Sequence, residues 1–345
     1  MPIEENMYKR VELTALGGPE VLRIVTEASL PEPAPGQVRV RVLSAGTGFT
    51  DTIIRQGQYP GVKDKPPFTL GYDWFGVVDR LGEGVSSVEL GQCVADMPVI
   101  GGYSQYLCVA ADQLVAAPSG LDPAEAVCMI LSYTTAYQML TREVHLQRGQ
   151  RCLVHAAGGA VGSALLELGA LLGLEMIGTG SQAKKALIEG FGAQFIDYRN
   201  ESVSERVAQL APGGVDAVFD TLGGQSWSVS YHCLRKGGRL VAFGALQLTT
   251  GQETVPQLLL GFSKLLLLWR LLPDGKSSSF YNIQTRRKRY PNDFKEDLAA
   301  LFQLLADGKL HPAIAECASL DDIVEIHRRL DSGDIAGKVV LDCTR

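Results

Sequence analysis

The 345-residue sequence lacks the marks of a secreted, metal-stapled or membrane-spanning protein. Its seven cysteines are an odd number without a Cys-x-x-Cys pair, so neither a disulfide framework nor a thiolate zinc site is indicated. The first residues have no apolar core behind a basic start, and no secretory signal is expected there. The most apolar stretch, residues 261–272, contains Lys264 and Arg270. It is shorter than the ~20 residues that span a bilayer, so we expect no transmembrane segment and a cytoplasmic location.

Positive charge is also scarce. The chain has 32 Lys and Arg against 38 Asp and Glu, a formal net charge of −6, which argues against nucleic-acid binding. A hydrophobic content of 46% with 20% charged residues excludes a mainly disordered chain. Glycine is in excess, with 38 residues, which indicates tight turns and close approach of backbone to a ligand. At about 150 residues per domain, the length predicts two domains.

The two parts of the chain have different rhythms. Up to about residue 125, short strands such as 38–42, 76–81 and 103–109 alternate with turns and predict a small irregular β-barrel. Beyond Pro123, helices alternate with short apolar strands, which predicts an α/β fold with a doubly wound parallel sheet. The predicted strands are 152–155, 174–178, 195–197, 215–220 and 239–244, and the helices are 161–172 and 184–190.

A glycine pattern lies between the first of these strands and its helix. Read from Ala157 it is A-x-G-x-x-G, in which Gly159 would let the backbone approach a pyrophosphate and Gly162 would let the helix pack closely. The free N–H groups at the start of the helix would bind the anion. An ordinary tight turn is the alternative, and the strand–helix context disfavours it.

The end of the next strand indicates which dinucleotide is preferred. An NAD site would have Asp or Glu about 20 residues on, to bind the ribose 2′-hydroxyl. The sequence there is instead Gly178-Thr179-Gly180-Ser181-Gln182-Ala183-Lys184-Lys185, without an acid. Hydroxyl and ammonium groups suit a 2′-phosphate, so NADPH is predicted over NADH. The alternative for the two lysines is a solvated helix face.

These motifs together resemble the zinc-independent quinone oxidoreductase branch of the medium-chain dehydrogenase/reductase superfamily, which includes zeta-crystallin and the vesicle amine transport protein group. The matching segments are 45–51, 55–60, 71–78, the glycine loop, 196–199 and 337–341. The resemblance implies a GroES-like β-barrel catalytic domain formed by residues 1–127 and 288–345. It further implies a Rossmann NADPH-binding domain over 128–287, a cleft for NADPH and substrate, and a homodimer paired through an edge strand at 278–283.

The resemblance also implies roles for individual residues. Gly159, Ala160 and Val161 would contact the pyrophosphate, while Ser181, Lys184 and Tyr198 would contact the 2′-phosphate and adenine. Thr135 would lie near the nicotinamide, with 243–245 beneath the ring, and Lys338 would contact a phosphate. The complete cofactor set is Thr135, Gly158, Gly159, Ala160, Val161, Gly180, Ser181, Lys184, Tyr198, Phe243, Gly244, Ala245 and Lys338. Gly48 departs from the pattern, because many relatives have Asn there to fix the nicotinamide ribose.

Zinc ligands are missing from the matching segments. Zinc-dependent relatives have a Cys within the segment matching 46–51 and a His where this chain has Tyr72. Without a Lewis acid, hydride transfer should favour quinones or α,β-unsaturated carbonyls, whose developing charge is delocalised. Tyr59 and Tyr72 are the candidate proton donors, unless they merely pack the pocket.

Two other functions stay open at this stage. An enoyl-thioester reductase would need basic groups to hold a carrier phosphate, and a binding protein could keep the NADPH fold without turnover. Residues 258–289 combine an apolar helix with the basic run 286–289. They predict a pocket wall or subunit contact, or a weak membrane-surface contact.

Overall fold

The computed structural model describes residues 6–345, so the expectation of no secretory signal over residues 1–5 lies outside the described residues. The chain forms two compact units. The first contains the described residues up to Thr134 together with Asp293–Arg345, and the second is Thr135–Asn292. The boundaries expected from the sequence are 127/128 and 287/288.

Residues 6–345 form sixteen strands and twelve α-helices. The strands are β1 Tyr8–Leu13, β2 Leu22–Glu27, β3 Gln37–Gly46, β4 Phe68–Thr69, β5 Asp73–Leu81, β6 Cys93–Asp96, β7 Tyr106–Ala110, β8 Val115–Ala116, β9 Arg151–Val154, β10 Glu175–Gly180, β11 Gln194–Asp197, β12 Val215–Asp220, β13 Leu234–Ala242, β14 Ser277–Phe280, β15 Ile314–Ser319 and β16 Lys338–Asp342. The helices are α1 Phe49–Arg55, α2 Pro123–Cys128, α3 Thr134–Gln138, α4 Ala160–Leu171, α5 Lys185–Gly190, α6 Val203–Leu210, α7 Gly224–Cys233, α8 Leu246–Thr249, α9 Val255–Ser263, α10 Ile283–Arg289, α11 Pro291–Ala306 and α12 Ile323–Ser332.

The first unit is built on two sheets. β2-β1-β4 form a three-stranded sheet, and β15-β16-β3-β5-β6-β8, with β7 also paired to β3, form a seven-stranded one. The alternation predicted for residues 38–42 is confirmed, since Val38, Val40 and Val42 are fully buried on one face of β3. On the other face, Arg39 pairs with Asp79 at 2.5 Å. Strand β16 joins β3 in antiparallel register, so the C-terminal segment completes the sheet begun near the N-terminus.

The second unit confirms the predicted doubly wound sheet. Its six strands run in the order β11-β10-β9-β12-β13-β14, and every pair is parallel. The central strands are apolar because helices cover both faces, as Leu153, Val218 and Leu240 show by their complete burial. The strand order reverses between β9 and β12, and in such sheets ligands bind at the carboxyl ends beside this point.

One local prediction differs from the structure. The edge strand predicted over 278–283 ends at Phe280, because the Asn282 side chain accepts a hydrogen bond from the Thr285 N–H at 2.8 Å and begins α10. The apolar stretch near 261–272 is α9 continued by a π-helical turn and a short 3₁₀ turn. No helix within residues 6–345 is long and apolar enough to cross a membrane.

Candidate functional site

A glycine-containing loop connects β9 to α4 in the second unit. His155 follows β9, and the next residue, Ala156, has a φ of +52°, a left-handed conformation uncommon for a residue with a side chain. Gly159 is the N-cap of α4, and no side chain caps this helix. The N–H groups of Ala160 and Val161 belong to the first turn, which has no intrahelical acceptors, so an anion can bind there.

The glycines of this loop differ in the space around them. A Cβ on Gly162 would collide with the carbonyl oxygen of Ala156, so glycine is needed where α4 packs on the loop. A Cβ on Gly158 would lie 2.6 Å from Cδ and 2.7 Å from Cβ of Lys184. Gly159 meets only the Ala156 oxygen, at 3.4 Å. The backbone is therefore open at the position predicted to approach a pyrophosphate.

The segment after β10 carries the residues predicted to contact a 2′-phosphate. Ser181 precedes a single 3₁₀ turn that ends at Lys184, and its hydroxyl does not cap that turn. Gly180 is buried at the end of β10 and pairs with Asp197 of β11, so Tyr198 follows at the same sheet edge. The structure thus brings Ser181, Lys184 and Tyr198 to the carboxyl ends of two neighbouring strands.

A further cation, for which the sequence motifs predicted no role, lies at this edge. The Tyr198 side chain is 52% exposed, and the Arg199 guanidinium lies 5.9 Å from the centroid of its ring. At this distance a cation–π contact orients the guanidinium. The available signal was the position of Arg199 directly after the predicted strand 195–197.

Thr135, predicted to lie near the nicotinamide, has a buried hydroxyl group that lacks a hydrogen-bond partner among the described residues. It is 6% exposed, and its Oγ1 has no hydrogen-bond partner within residues 6–345. Buried hydroxyl groups are normally paired, so this atom suits a ligand that offers a polar group.

The predicted segment beneath the nicotinamide, 243–245, follows β13. The Phe243 N–H donates to the carbonyl oxygen of Asp220 at 2.9 Å. A Cβ on Gly244 would lie 2.9 Å from the carbonyl oxygen of Thr221, so this glycine allows the segment to lie against the β12–α7 turn. Ala245 then precedes α8. The β12–α7 turn therefore holds the segment in place.

In the first unit, the two tyrosines predicted as proton donors contact each other. The hydroxyl oxygens of Tyr59 and Tyr72 lie 2.7 Å apart, and their rings meet edge to face with centroids 5.9 Å apart. Tyr72 precedes β5 and is 1% exposed, whereas Tyr59 follows α1 and is partly exposed. One phenol can thus donate to the other, with Tyr59 as the member open to solvent.

Lys338 is predicted to contact a phosphate, but the structure gives it internal partners. It is 3% exposed, and its Nζ lies 3.4 Å from Oδ2 of Asp73 and 3.4 Å from Oγ of Ser132. Strand β16 pairs with one side of β3 and β5 with the other, so the ammonium of Lys338 reaches Asp73 across β3. The phosphate contact of Lys338 stays a prediction that these partners do not favour.

Asp51, in α1, is a fully buried carboxyl that can titrate at neutral pH. The Gly48 N–H donates to its Oδ2 at 2.9 Å, while its Oδ1 makes no hydrogen bond of normal geometry to a described residue. Burial, followed by the charge of Asp73, raises the pKa of Asp51 to about 7, with the Tyr103 hydroxyl acting in the opposite direction. A Cβ on Gly48 would meet only Oδ2 of Asp51, at 3.8 Å. The Cβ of an asparagine, the residue that many relatives have here, would therefore fit at position 48 without a clash.

Within residues 6–345, no group of three or more His, Cys, Asp or Glu side chains is arranged to hold a metal ion. The segment 46–51 has no cysteine, and Tyr72 stands where the zinc-dependent relatives have histidine. Independence of zinc stays a prediction, because it concerns activity.

The segment 258–289 presents exposed leucines. Leu267 is 65% exposed and Leu271 80%, while Arg286 of the basic run pairs with Glu143 at 3.1 Å. The pocket wall, the subunit contact of a homodimer and the membrane-surface contact all stay predictions for this segment.

Two family models match the chain. Residues 34–119 match the alcohol dehydrogenase GroES-like domain, and residues 191–341 match a model described as zinc-binding dehydrogenase. The first lies within the first unit, and the second covers the later part of the parallel sheet and the C-terminal strands.

Known proteins resemble most of the chain. Quinone oxidoreductase from Pseudomonas aeruginosa is 36% identical over 242 residues, 69% of this chain and 74% of the relative. The synaptic vesicle membrane protein VAT-1 homolog of Danio rerio is 29% identical over 344 residues, 97% of this chain and 70% of the relative. The crystal structure of Escherichia coli quinone oxidoreductase complexed with NADPH superposes with a TM-score of 0.83 at 27% identity, covering 97% of this chain and 99% of that one.

Proposed function

The chain belongs to the quinone oxidoreductase and VAT-1 branch of the medium-chain dehydrogenase/reductase superfamily, and from that premise we propose that it is an NADPH-dependent reductase of quinones or α,β-unsaturated carbonyl compounds that works without zinc. The contact between Tyr59 and Tyr72 carries the proposal. It brings a second phenol, Tyr59, to Tyr72, which stands where zinc-dependent relatives have a histidine ligand.

The second unit has a surface that fits a dinucleotide. The open backbone at Gly159 and the uncapped start of α4 would hold the pyrophosphate, and the buried Thr135 hydroxyl would gain a partner at the nicotinamide end. Ser181 and Lys184, together with Arg199, would face the 2′-phosphate, and no acid follows β10 to prefer a free ribose. These groups support NADPH over NADH.

When bound, the reduced nicotinamide supplies a hydride to the electron-poor carbon of the acceptor. The residues of this chain then supply the proton that completes a two-electron reduction. Tyr59 donates its hydroxyl proton to the enolate. The phenolate left behind is stabilised by a hydrogen bond that it accepts from the Tyr72 hydroxyl, whose oxygen lies 2.7 Å away. Because a phenol pair carries no fixed positive charge, it suits acceptors whose oxyanion is delocalised, as in quinones and enones.

An NADPH-oxidation screen with purified protein tests the acceptor class. The panel contains quinones, enones and enoyl thioesters. Turnover of quinones or enones supports the proposal. Turnover of enoyl thioesters alone would show that the protein is an enoyl-thioester reductase, and NADPH binding without any turnover would show that it is a binding protein.

Cofactor preference is tested with Lys184→Ala against Lys185→Ala as its neighbour control. Lys185 pairs with Glu189 at 3.7 Å on the exposed face of α5, so its removal should leave cofactor binding unchanged. Lys184→Ala should narrow the free-energy gap between NADPH and NADH by about 1–3 kcal/mol in titration calorimetry. Equal affinities of the wild type for the two cofactors would refute the NADPH assignment.

The proton donor is tested with Tyr59→Phe and Tyr72→Phe, with Tyr8→Phe as a control in β1. Tyr59→Phe should lower enone turnover by about 10²- to 10⁴-fold and leave NADPH affinity nearly unchanged. Quinone turnover should fall less, because a hydroquinone anion can take its proton from water. If only Tyr72→Phe abolishes enone turnover, Tyr72 is the donor; if neither matters, both assignments are wrong.

A further inference from the structure

His155, at the junction of β9 and the glycine loop, makes a hydrogen bond with each of its ring nitrogens. It is 4% exposed. Its Nδ1 lies 3.3 Å from Oγ1 of Thr179 at the end of β10, and its Nε2 lies 3.0 Å from Oγ of Ser230 in α7. Its backbone N–H donates to the carbonyl oxygen of Phe219 at 3.0 Å. One residue thus joins three neighbouring strands and a helix.

The hydrogen bonds of Asp220 fix the direction of those of His155. Asp220 is fully buried, and its Oδ2 accepts from the hydroxyls of Ser226 and Ser230, both at 2.7 Å. Since the Ser230 hydrogen goes to Asp220, the Ser230 oxygen accepts from the Nε2–H of His155. In the neutral imidazole with its hydrogen on Nε2, Nδ1 accepts the hydroxyl hydrogen of Thr179. Every polar atom of the ring has a partner.

This network is not a nucleophilic triad. The acid binds the serine directly, while the nearest approach of His155 Nε2 to Asp220 is 3.9 Å. Ser230 and Asp220 are fully buried, so no substrate reaches the hydroxyl. The network therefore has a structural role, and its function depends on the segment that it restrains.

The segment that the His155 network restrains is the strained start of the glycine loop. Ala156, directly after His155, has φ +52°, a conformation that costs a residue with a side chain of the order of 1 kcal/mol and persists only where its surroundings fix it. The Ala156 carbonyl accepts from the Gly159 N–H at 3.0 Å, which shapes the turn that leads into α4. His155 restrains the chain on the other side of Ala156.

We propose that His155 is a positioning residue for dinucleotide binding, which holds the glycine loop in its anion-binding shape through Thr179, Ser230 and Asp220. The inference rests on the proposed nicotinamide cofactor and deepens it. Because the loop would bind the pyrophosphate, which NADPH and NADH share, loss of His155 should weaken both cofactors by the same factor. Loss of Lys184, in contrast, should change their ratio.

The test measures dissociation constants of NADPH and NADH for the wild type, His155→Phe and His155→Gln. His155→Phe should weaken both cofactors by about 5- to 100-fold, the worth of two buried hydrogen bonds, with the ratio of the two constants kept within about twofold. His155→Gln retains an amide donor toward Ser230 and should recover part of the loss. His327→Phe, which removes a fully buried histidine of the first unit, should lower thermal stability without changing either constant.

The outcomes separate this inference from the function on which it rests. If the wild type binds neither cofactor, both fall together. If the wild type binds and a folded His155→Phe variant binds equally well, or loses affinity for NADPH alone, only the role of His155 is overturned. Should His155→Phe fail to fold, Thr179→Val and Ser230→Ala each remove one partner, and each should give a smaller loss that is again equal for the two cofactors. Unchanged constants in both would reject the inference.

Discussion

Replacing Asp51 with asparagine should remove a pH dependence from the stability of the first unit. Burial and the charge of Asp73 raise the pKa of Asp51 to about 7 in the folded protein, against about 3.9 in an unfolded chain. The folded state therefore holds this proton more tightly than the unfolded state. The stability that Asp51 contributes is complete below about pH 4 and is lost as the pH rises through about 7.

The two pKa values set an upper limit on the effect. A difference of about three units corresponds to roughly 4 kcal/mol, of which about 2.5 kcal/mol would be lost between about pH 5 and about pH 8. Relaxation around the ionised carboxylate and entry of water reduce this, so we expect about 1–2.5 kcal/mol. Asparagine cannot ionise, and its Oδ1 can still accept from the Gly48 N–H. The advantage of Asp51→Asn over the wild type should therefore grow with pH.

Urea unfolding followed by ¹⁹F NMR of 5-fluorotryptophan measures this in the right unit. The chain has three tryptophans, of which Trp74 lies fully buried in β5 of the first unit and Trp227 and Trp269 lie in the second. The Trp74 signal at several pH values gives the free energy of unfolding around Asp51. Asp64→Asn, at an exposed position, is the control. If the wild type and Asp51→Asn lose stability in parallel from about pH 5 to about pH 8, the reasoning is wrong.

Three further changes test other parts of the structure. Gly158→Ala should push the Lys184 side chain away, because the added Cβ would lie 2.6 Å from Cδ of that lysine. Calorimetry should then show a larger loss of affinity for NADPH than for NADH, whereas Gly159→Ala should weaken the binding of both cofactors alike. Equal losses of affinity for the two cofactors in Gly158→Ala would contradict this. Exhaustive chelation should leave NADPH oxidation intact, and elemental analysis that finds a stoichiometric zinc lost together with activity would refute independence of the metal. The Glu253 carboxylate accepts hydrogen bonds from the N–H groups of Gly224 and Gln225, each at 3.1 Å. Glu253→Ala should therefore destabilise the second unit by about 1–3 kcal/mol. The urea midpoint of the Trp227 ¹⁹F signal measures this, with the exposed Gln252→Ala as control, and an unchanged midpoint in Glu253→Ala would rule it out.

The parts of the fold that follow from local pattern were predictable. The apolar run 215–220 begins after two glycines and ends at an aspartate, and β12 has these bounds. The glycine loop was recognisable because a buried strand, small residues and a helix must follow one another for backbone to approach a phosphate. The edge strand at 278–283 was predicted too long, since the hydrogen bond from the Thr285 N–H to the Asn282 side chain outweighs the β-propensity of the residues between.

Contacts between residues far apart in the sequence were not predictable. Lys338 meets Asp73, 265 positions away, only because β16 and β5 both flank β3 in one register. His155 looked like one of several scattered histidines, and its link to Ser230 depends on how α7 packs on the sheet. A single sequence carries no local signal for such pairs, because each depends on tertiary packing.

One buried polar cluster in each unit illustrates how far such groups can be satisfied. Around His155 and Asp220 every hydrogen bond is made without a ligand, so that network can hold a strained loop whether or not a cofactor is present. In the first unit, Asp51 and Asp73 each keep one oxygen without a hydrogen bond of normal geometry to a described residue, and Lys338 is the ammonium paired with Asp73. Two ionised carboxylates beside one ammonium would leave a net buried charge, which is costly. A proton on Asp51 makes the cluster of Asp51, Asp73 and Lys338 neutral and gives it a hydrogen-bond donor. The burial of two carboxyl groups beside one ammonium therefore accounts both for the unpaired oxygens and for the pKa of Asp51 near 7.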